Sequence, residues 1–213
     1  MWPRSFATVE RCPTDRSAVS ELAALVVATG EVGGRAIALA PWGSGSVLEH
    51  VLQTVRETGI ELIVVVVGPS SELIVEGSDL GDATIVIDPE WTEGQAAPLR
   101  CGLDELMRHD DTQTAVLLTV QQPLVEPGVI AAVVEAREEA GTAAAMPKYR
   151  YATGLPLVVR RDLWPRLMGL EGDSSAESFF KAHPEWTHEM WVDRLAPATV
   201  TTVDELTAIA PRG

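Results

Sequence analysis

Apolar positions fall into two patterns along the chain. Four unbroken, mostly aliphatic runs, "LAALVVA" (22–28), "LIVVVV" (62–67), "TIVI" (84–87) and "AVLLTV" (115–120), are bounded by Gly, Asp, Pro or Gln. Short runs of this kind are expected to be strands buried on both faces. Between them the spacing becomes helical: Val47, Leu48, Val51, Leu52 and Val55 form one stripe, and Leu99, Leu103, Leu106 and Met107 another. Further on, "GVIAAVVEAREEAG" reads as a helix closed by Gly141, "TAAAM" and "LPLVV" as strands, and "RDLWPRLMGL" as a helix interrupted or restarted at Pro165. Strands alternating with helices predict an α/β fold with a mainly parallel sheet covered by helices. The segment "SAVSELAALVVATG" allows two readings: a strand over 22–28, which the adjacent aliphatics favour, or a helix that leaves "RAIALA" (35–40) as the first strand.

The ends of the helices are also marked. Ser46 with Glu49, Thr92 with Gln95, Ser174 with Glu177 and Thr202 with Glu205 each fit the capping box, in which the two side chains satisfy first-turn N–H groups. "GSGS" (43–46) precedes the first of these starts, where free N–H groups can hold a phosphate. Glu49 puts a negative charge at that place, so the structural reading is preferred.

At 213 residues, 46% apolar and 22% charged, the chain is expected to form one domain over 21–210 behind an extension, 1–20, that is either a tail or a helix beginning near Ser17. Leu62–Val67 is far shorter than the roughly 20 residues of a membrane helix, and no basic, then apolar, leader opens the chain, so no membrane partner and a cytoplasmic location are expected. Cys12 and Cys101 form no C-x-x-C pair and suggest neither a disulfide framework nor a zinc site; Cys101 is expected to be a small buried residue. The formal charge is −15, and no Lys or Arg lies between Arg56 and Arg100. Such acidity repels phosphate backbones and argues against a nucleic-acid partner, and it fits a solvated surface without naming a ligand.

Several chemistries lack their motifs. His50, His109, His183 and His188 show no metal-ligand spacing, and G-x-S-x-G, G-x-x-x-x-G-K-[ST] and G-x-G-x-x-G are all missing. "KYRYATGLP" (148–156) gathers Lys148, Tyr149, Arg150 and Tyr151. It is either a loop that stacks on a ring and pairs with phosphates or an exposed connection whose charges keep it solvated.

The order of motifs over roughly 22–209 resembles the MobA-like nucleotidyltransferases, particularly those that transfer CMP or GMP to molybdopterin. "LVVATG" is similar to the family's first strand and L-A-A-G turn, and "LAPW" with "VLEHVL" to the segment after its signature lysine. "DPEWTEGQAAPLRCGL" resembles N-P-x-W-x-x-G-x-x-x-S-L-x-x-G-L, and "LLTVQQPLVEPGVI" resembles L-V-L-L-G-D-Q-P-L-V-x-P-x-x-I. "TGLP" stands for G-H-P, "LWPRLMGLEGDSSAES" for L-W-P-x-L-x-x-L-x-G-D-x-G-A-R and "TVTTVDEL" for D-I-D-T-P-E-D-L. The resemblance implies a three-layer α/β/α Rossmann-like nucleotidyltransferase fold of the nucleotide-diphospho-sugar transferase type. It also implies Mg²⁺ and an NTP, CTP or GTP, as cofactor and substrate where activity is retained.

In that family a glycine-rich loop with an arginine and a lysine wraps the triphosphate, and the aspartate of D-Q-P helps hold Mg²⁺. The cations offset charge on the phosphoryl oxygens and the leaving pyrophosphate. Here the loop "GEVGGRAIALAPW" is shorter, and alignment back from Pro41 places Ile37 at the lysine and Val32 at the arginine. Gln121 stands at the aspartate, and an amide brings no charge to a cation. Leu155 replaces the histidine, Pro98 the serine, Glu177 the arginine, and Thr199 and Thr201 the two aspartates of D-I-D. The residues that match, Trp91, Gly94, Pro123, Gly154, Pro156 and Asp173, shape backbone or packing.

The expectation is therefore a catalytically degenerate homologue that binds a nucleotide, another small ligand or a partner, with a protein partner or homo-oligomer left open. Thr29, Gly30, Gly34, Arg35, Gln95 and Gln121 are its candidate nucleotide-binding residues. Lys148, Arg150, Gly154 and Asp173 are candidates for an acceptor pocket, and no residue is assigned as catalytic or as a metal ligand. The alternative is an active NTP:molybdopterin-type enzyme in which Arg35 with Lys148 or Arg150 supplies charge and Asp173 holds metal. In a third reading the family pocket is merely filled. Any surviving pocket should lie at the C-terminal ends of strands 22–28 and 115–120.

Overall fold

The computed structural model describes residues 21–68 and 70–211; the expected extension, with Ser17 and Cys12, lies outside them. Seven strands make one sheet: β1 (Leu22–Ala28), β2 (Leu62–Val67), β3 (Thr84–Ile87), β4 (Thr114–Thr119), β5 (Ala144–Lys148), β6 (Leu157–Arg160) and β7 (Thr187–Trp191). Their order across the sheet is β7-β5-β6-β4-β1-β2-β3. β1 pairs in parallel with β2 and β4, β2 with β3, and β5 with β7, whereas β6 is antiparallel to both of its neighbours. The strand reading of 22–28 holds. "RAIALA" instead supplies Arg35–Ala36, which closes a small hairpin on Glu31–Val32, and the 3-10 turn Ile37–Leu39.

Period-two alternation explains why β1 is apolar throughout. Ala24, Val26 and Ala28 join the core on one face of the sheet, and Ala23 and Leu25 the core on the other. The first face is covered by α1 (Val47–Arg56) and packed with Ile74 of α2 (Ser71–Gly77) and with Val129, Ile130 and Val133 of α4 (Pro127–Ala140). The second holds Leu99, Leu103 and Leu106 of α3 (Ala96–Met107), together with Trp164 and Phe180. Gly102 of α3 permits the closest approach: a Cβ there would lie 2.2 Å from Leu25 Cδ1.

The run TIVI departs from expectation. β3 is an edge strand with one neighbour, its first three residues are half-buried, and Ile87 is 53% exposed. Position in the sheet, which a local run does not encode, decides this. Cys101 is half-buried rather than buried, and desolvation pushes its thiol up to about 11, so it stays protonated.

Two capping boxes form as read. Ser46 N–H donates to Glu49 Oε2 at 2.7 Å while Glu49 N–H donates to Ser46 Oγ at 3.2 Å, starting α1. Thr202 and Glu205 do the same for a C-terminal helix, Val203–Ile209. The other two do not form. Thr92 lies in a 3-10 turn, Trp91–Glu93, and α3 starts after Gln95 without a side-chain cap. The helix Ala176–Ala182 is capped by Ser175 with Ser178, one residue later than Ser174 with Glu177, because Ser174 N–H closes a turn onto Glu171 O. Pro165 restarts a helix: the 3-10 turn Arg161–Leu163 passes into Trp164–Leu167 with the proline in its first turn, where an N–H is not needed. Gly141, at φ 63°, closes α4 as expected. Among the described residues no helix is long and apolar enough to cross a membrane.

Candidate functional site

β1 and β4 are neighbours in the sheet, and the chain leaves β1 towards β2 on one side and β4 towards β5 on the other. Such a switch point leaves a crevice beyond the strand ends. Here it is a cavity of about 540 Å³. Its base is formed by Thr29 and Gly30 after β1 and by Gln121 and Gln122 after β4.

Gln121 occupies its place because Gly30 has no side chain: a Cβ on Gly30 would lie 3.1 Å from Gln121 Cγ and 3.3 Å from Ile37 Cδ1. Ile37 is 1% exposed and belongs to the core. The segment 199–201 crosses the ends of the strands and is tied down by amides. Val200 N–H donates to Gln121 O at 2.7 Å, and Gln122 Nε2 donates to Thr199 Oγ1 at 2.8 Å. Glu205 Oε2 accepts from Thr201 N–H at 2.8 Å, and these hydrogen bonds hold its carboxyl below the usual glutamate range.

The far wall depends on one backbone crossing. Gly94 has φ +110°, and a Cβ there would lie 2.4 Å from the carbonyl of Gly172 and 2.9 Å from Asp173 N. Ala96 N–H donates to Gly172 O at 3.0 Å across the same contact. Arg100 reinforces it from outside the cavity by donating to Leu170 O and pairing with Glu90 and Glu93. Trp91 stands beside Thr29 across Gly68, whose added Cβ would meet both at 3.4 to 3.5 Å. Below Trp91, Asp88 is 3% exposed; its Oδ1 accepts from Glu90 N–H, and its Oδ2 has no partner among the described residues.

Burial pushes the Asp88 carboxyl up from the ordinary aspartate value. Folding thus favours the protonated form, whose contribution is full below the unfolded pKa and is lost as pH rises through the folded one. Asp88→Asn is expected to raise Tm at pH 7–8 and to leave it nearly unchanged at pH 3. Thermal melts at the two pH values check this, and an equal shift at both would remove the titration argument.

Of the residues singled out from sequence, Thr29, Gly30, Gln95, Gln121 and Asp173 line the cavity. Gly34 and Arg35 sit in the exposed hairpin instead, Gly34 at φ +74°. Lys148 pairs with Glu189, and Arg150 Nε with Asp193 Oδ1 at 2.8 Å, so both serve the edge of the sheet near β7. Gly154 is buried, with its N–H on Pro147 O, and only its neighbour Leu155 reaches the cavity. Tyr149 is buried and donates to Leu155 O, whereas Tyr151 is 87% exposed. The lining role of Ser175 has no sequence signal of its own.

The lining carries no Lys or Arg among the described residues; its charged groups are Asp173 and Glu177, and Glu177 pairs with Lys181 at 2.6 Å. Nor do the described residues contain a group of three or more His, Cys, Asp or Glu able to hold a metal ion. At the base of the cavity Gln121, Thr199 and Thr201 offer a divalent cation only neutral oxygens, and of the two carboxylates in the lining Glu177 is already paired with Lys181, which leaves Asp173 as the one unpaired carboxylate among the lining residues.

A three-layer sheet with a ligand-sized crevice at its switch point defines a Rossmann-like fold of the nucleotidyltransferase kind. A model of the MobA-like NTP transferase domain matches residues 31–187, more than half of the chain, and the chain belongs to that family. No curated protein matches by sequence. Among solved structures, Rv0371c from Mycobacterium tuberculosis H37Rv superposes with a TM-score of 0.77 at 24% identity, covering 89% of this chain and 98% of that one. A complex of Rv0371c with manganese gives 0.73 at 21% identity, over 90% and 98%. A nucleotidyl transferase from Methanothermobacter thermautotrophicus, Mth528, gives 0.67 at 18% identity, over 82% and 88%.

Proposed function

We propose that this chain is a MobA-like NTP transferase homologue that has lost Mg²⁺-dependent nucleotidyl transfer and persists as a small-ligand-binding protein of the cytoplasm. The observation that carries the reading is a coincidence of place. Pro98, Gln121, Leu155, Glu177, Thr199 and Thr201, which replace family residues able to bear charge or donate hydrogen bonds, all line one open cavity. The two loop positions aligned with the family's cations, Val32 and Ile37, are buried in the core instead. Charge is thus missing where a triphosphate and its metal would need it offset.

Open volume beside Gly30 and Gln121 speaks against a pocket that is merely filled. The active-enzyme alternative loses its proposed cations, because Arg35, Lys148 and Arg150 do not line the cavity. A neighbour that binds manganese makes divalent metal the right control rather than the expected partner. Pyrophosphate release measured with CTP or GTP and molybdopterin, in Mg²⁺ and then in Mn²⁺, is expected to stay at background. Sustained turnover in either metal would overturn the proposal.

A further inference from the structure

The sheet has two edges, and they differ in charge. Around β3, residues 57–99 carry nine acids and no Lys or Arg, so a second copy would be repelled there. The β7 edge is balanced instead: Lys148 pairs with Glu189, Arg150 with Asp193 and Arg194 with Glu126. In a chain of formal charge −15, this corner presents both signs equally and is complementary to itself. It also exposes large apolar side chains, Trp191 at 59%, Tyr151 at 87% and Leu195 at 65%. Trp191 is the register partner of Lys148, which leads into the turn at 149–152, and Arg150 N–H donates to Arg194 O at 3.1 Å, which holds that turn beside Leu195.

Backbone direction gives the edge a register. Val192 N–H donates to Lys148 O at 2.9 Å, so Met190 and His188, at alternate positions back along β7, also face β5. The N–H and C=O groups of Glu189 and Trp191 then face outward, where β7 has no neighbouring strand among the described residues. We infer that β7 is the docking edge for a second copy of this chain, joined antiparallel about a twofold axis at Met190. That axis sets Glu189 of each copy opposite Trp191 of the other, and each such pair exchanges both of its N–H···O bonds. An axis at Glu189 would oppose that residue to itself, and one at Trp191 would oppose Glu189 to Asp193; both bring like charges face to face. With the axis at Met190, Trp191 of each copy meets the Lys148–Glu189 pair of the other, because side chains at 148, 189 and 191 stand on one face of the sheet. The ring loses water and gains a cation against it.

Sedimentation of the full chain across micromolar concentrations tests this, and the mass is expected to rise from one chain to two. Trp191→Glu, which sets a second carboxylate opposite Glu189, should leave a monomer that is folded by circular dichroism. Adding Glu189→Lys to it should bring the dimer back. Met190→Cys should form an intermolecular disulfide on mild oxidation, beyond any that the unmodified protein forms, because the axis there leaves the two Cα atoms about 4.5 Å apart. Glu189→Cys should not. A chain that stays monomeric at every concentration would overturn the inference, even if its edge took up a different protein. So would a dimer that survives Trp191→Glu, that the charge swap fails to restore, or that cross-links through Glu189→Cys as readily as through Met190→Cys. Where Trp191→Glu does not fold, the two cysteine variants decide.

Discussion

Gly94→Ala is expected to destabilise the protein by about 3 kcal/mol or more, because two costs coincide at one atom. An alanine at φ +110° is strained in its own backbone, and its Cβ would stand 2.4 Å from the Gly172 carbonyl. Neither can relax alone, since moving residue 94 breaks the Ala96 to Gly172 hydrogen bond that fixes the same crossing. The far wall of the cavity, with Gln95 on one strand of the crossing and Asp173 on the other, should separate as the contact opens. Chemical denaturation measures the first effect. Gly59→Ala is the control, since Gly59 also has positive φ, at +81°, but meets nothing within 4 Å. Equal losses at the two positions would show that dihedral strain, and not the crossing, sets the cost.

Returning carboxylates to the base of the cavity should have the second large effect. In the variant Gln121→Asp, Thr199→Asp, Thr201→Asp, three like charges replace side chains that now hydrogen-bond to Val200 O, Gln122 and Glu205 respectively. Without metal, repulsion and the lost bonds are expected to lower stability by about 1–3 kcal/mol. Manganese at about one hundred times its dissociation constant should then return about 2.7 kcal/mol, whereas the unmodified protein should not respond. A melt of the variant that ignores millimolar Mn²⁺ would show that absent carboxylates are not what separates this cavity from a metal site.

The central sheet could be read from sequence because burial on both faces writes itself locally, as adjacent aliphatics in β1, β2 and β4. β3 carries the same kind of run, yet it lies at an edge; a strand's partners are a long-range property and leave no mark in four residues. The helix starts show the same boundary. Ser46 and Thr202 cap as their spacing says, whereas Ser174 loses to Ser175 because a turn from Glu171 fixes which serine enters extended.

The site was legible by position more than by reach. Gln121 and Gly30 fall at strand ends, where topology alone puts them beside the cavity. Arg35, Lys148 and Arg150 were singled out for charge, but charge says nothing about direction, and the chain turns them to a hairpin and to acidic partners at the sheet edge. Trp91 is visible in the sequence as a motif residue that shapes backbone or packing. The open space beside it is a feature of the assembled fold.

The segment at 199–201 has a consequence for how occupancy would be felt. It joins the last stretch of the described chain to the end of β4, which lies beside β1 in the sheet and much earlier in the chain, through Gln121 and Gln122. A molecule resting on those strand ends therefore bears on residues drawn from nearly the whole polypeptide. Its presence would be communicated as cooperativity: the C-terminal helix and the central sheet would gain protection from hydrogen exchange together, and an empty site would let them open separately.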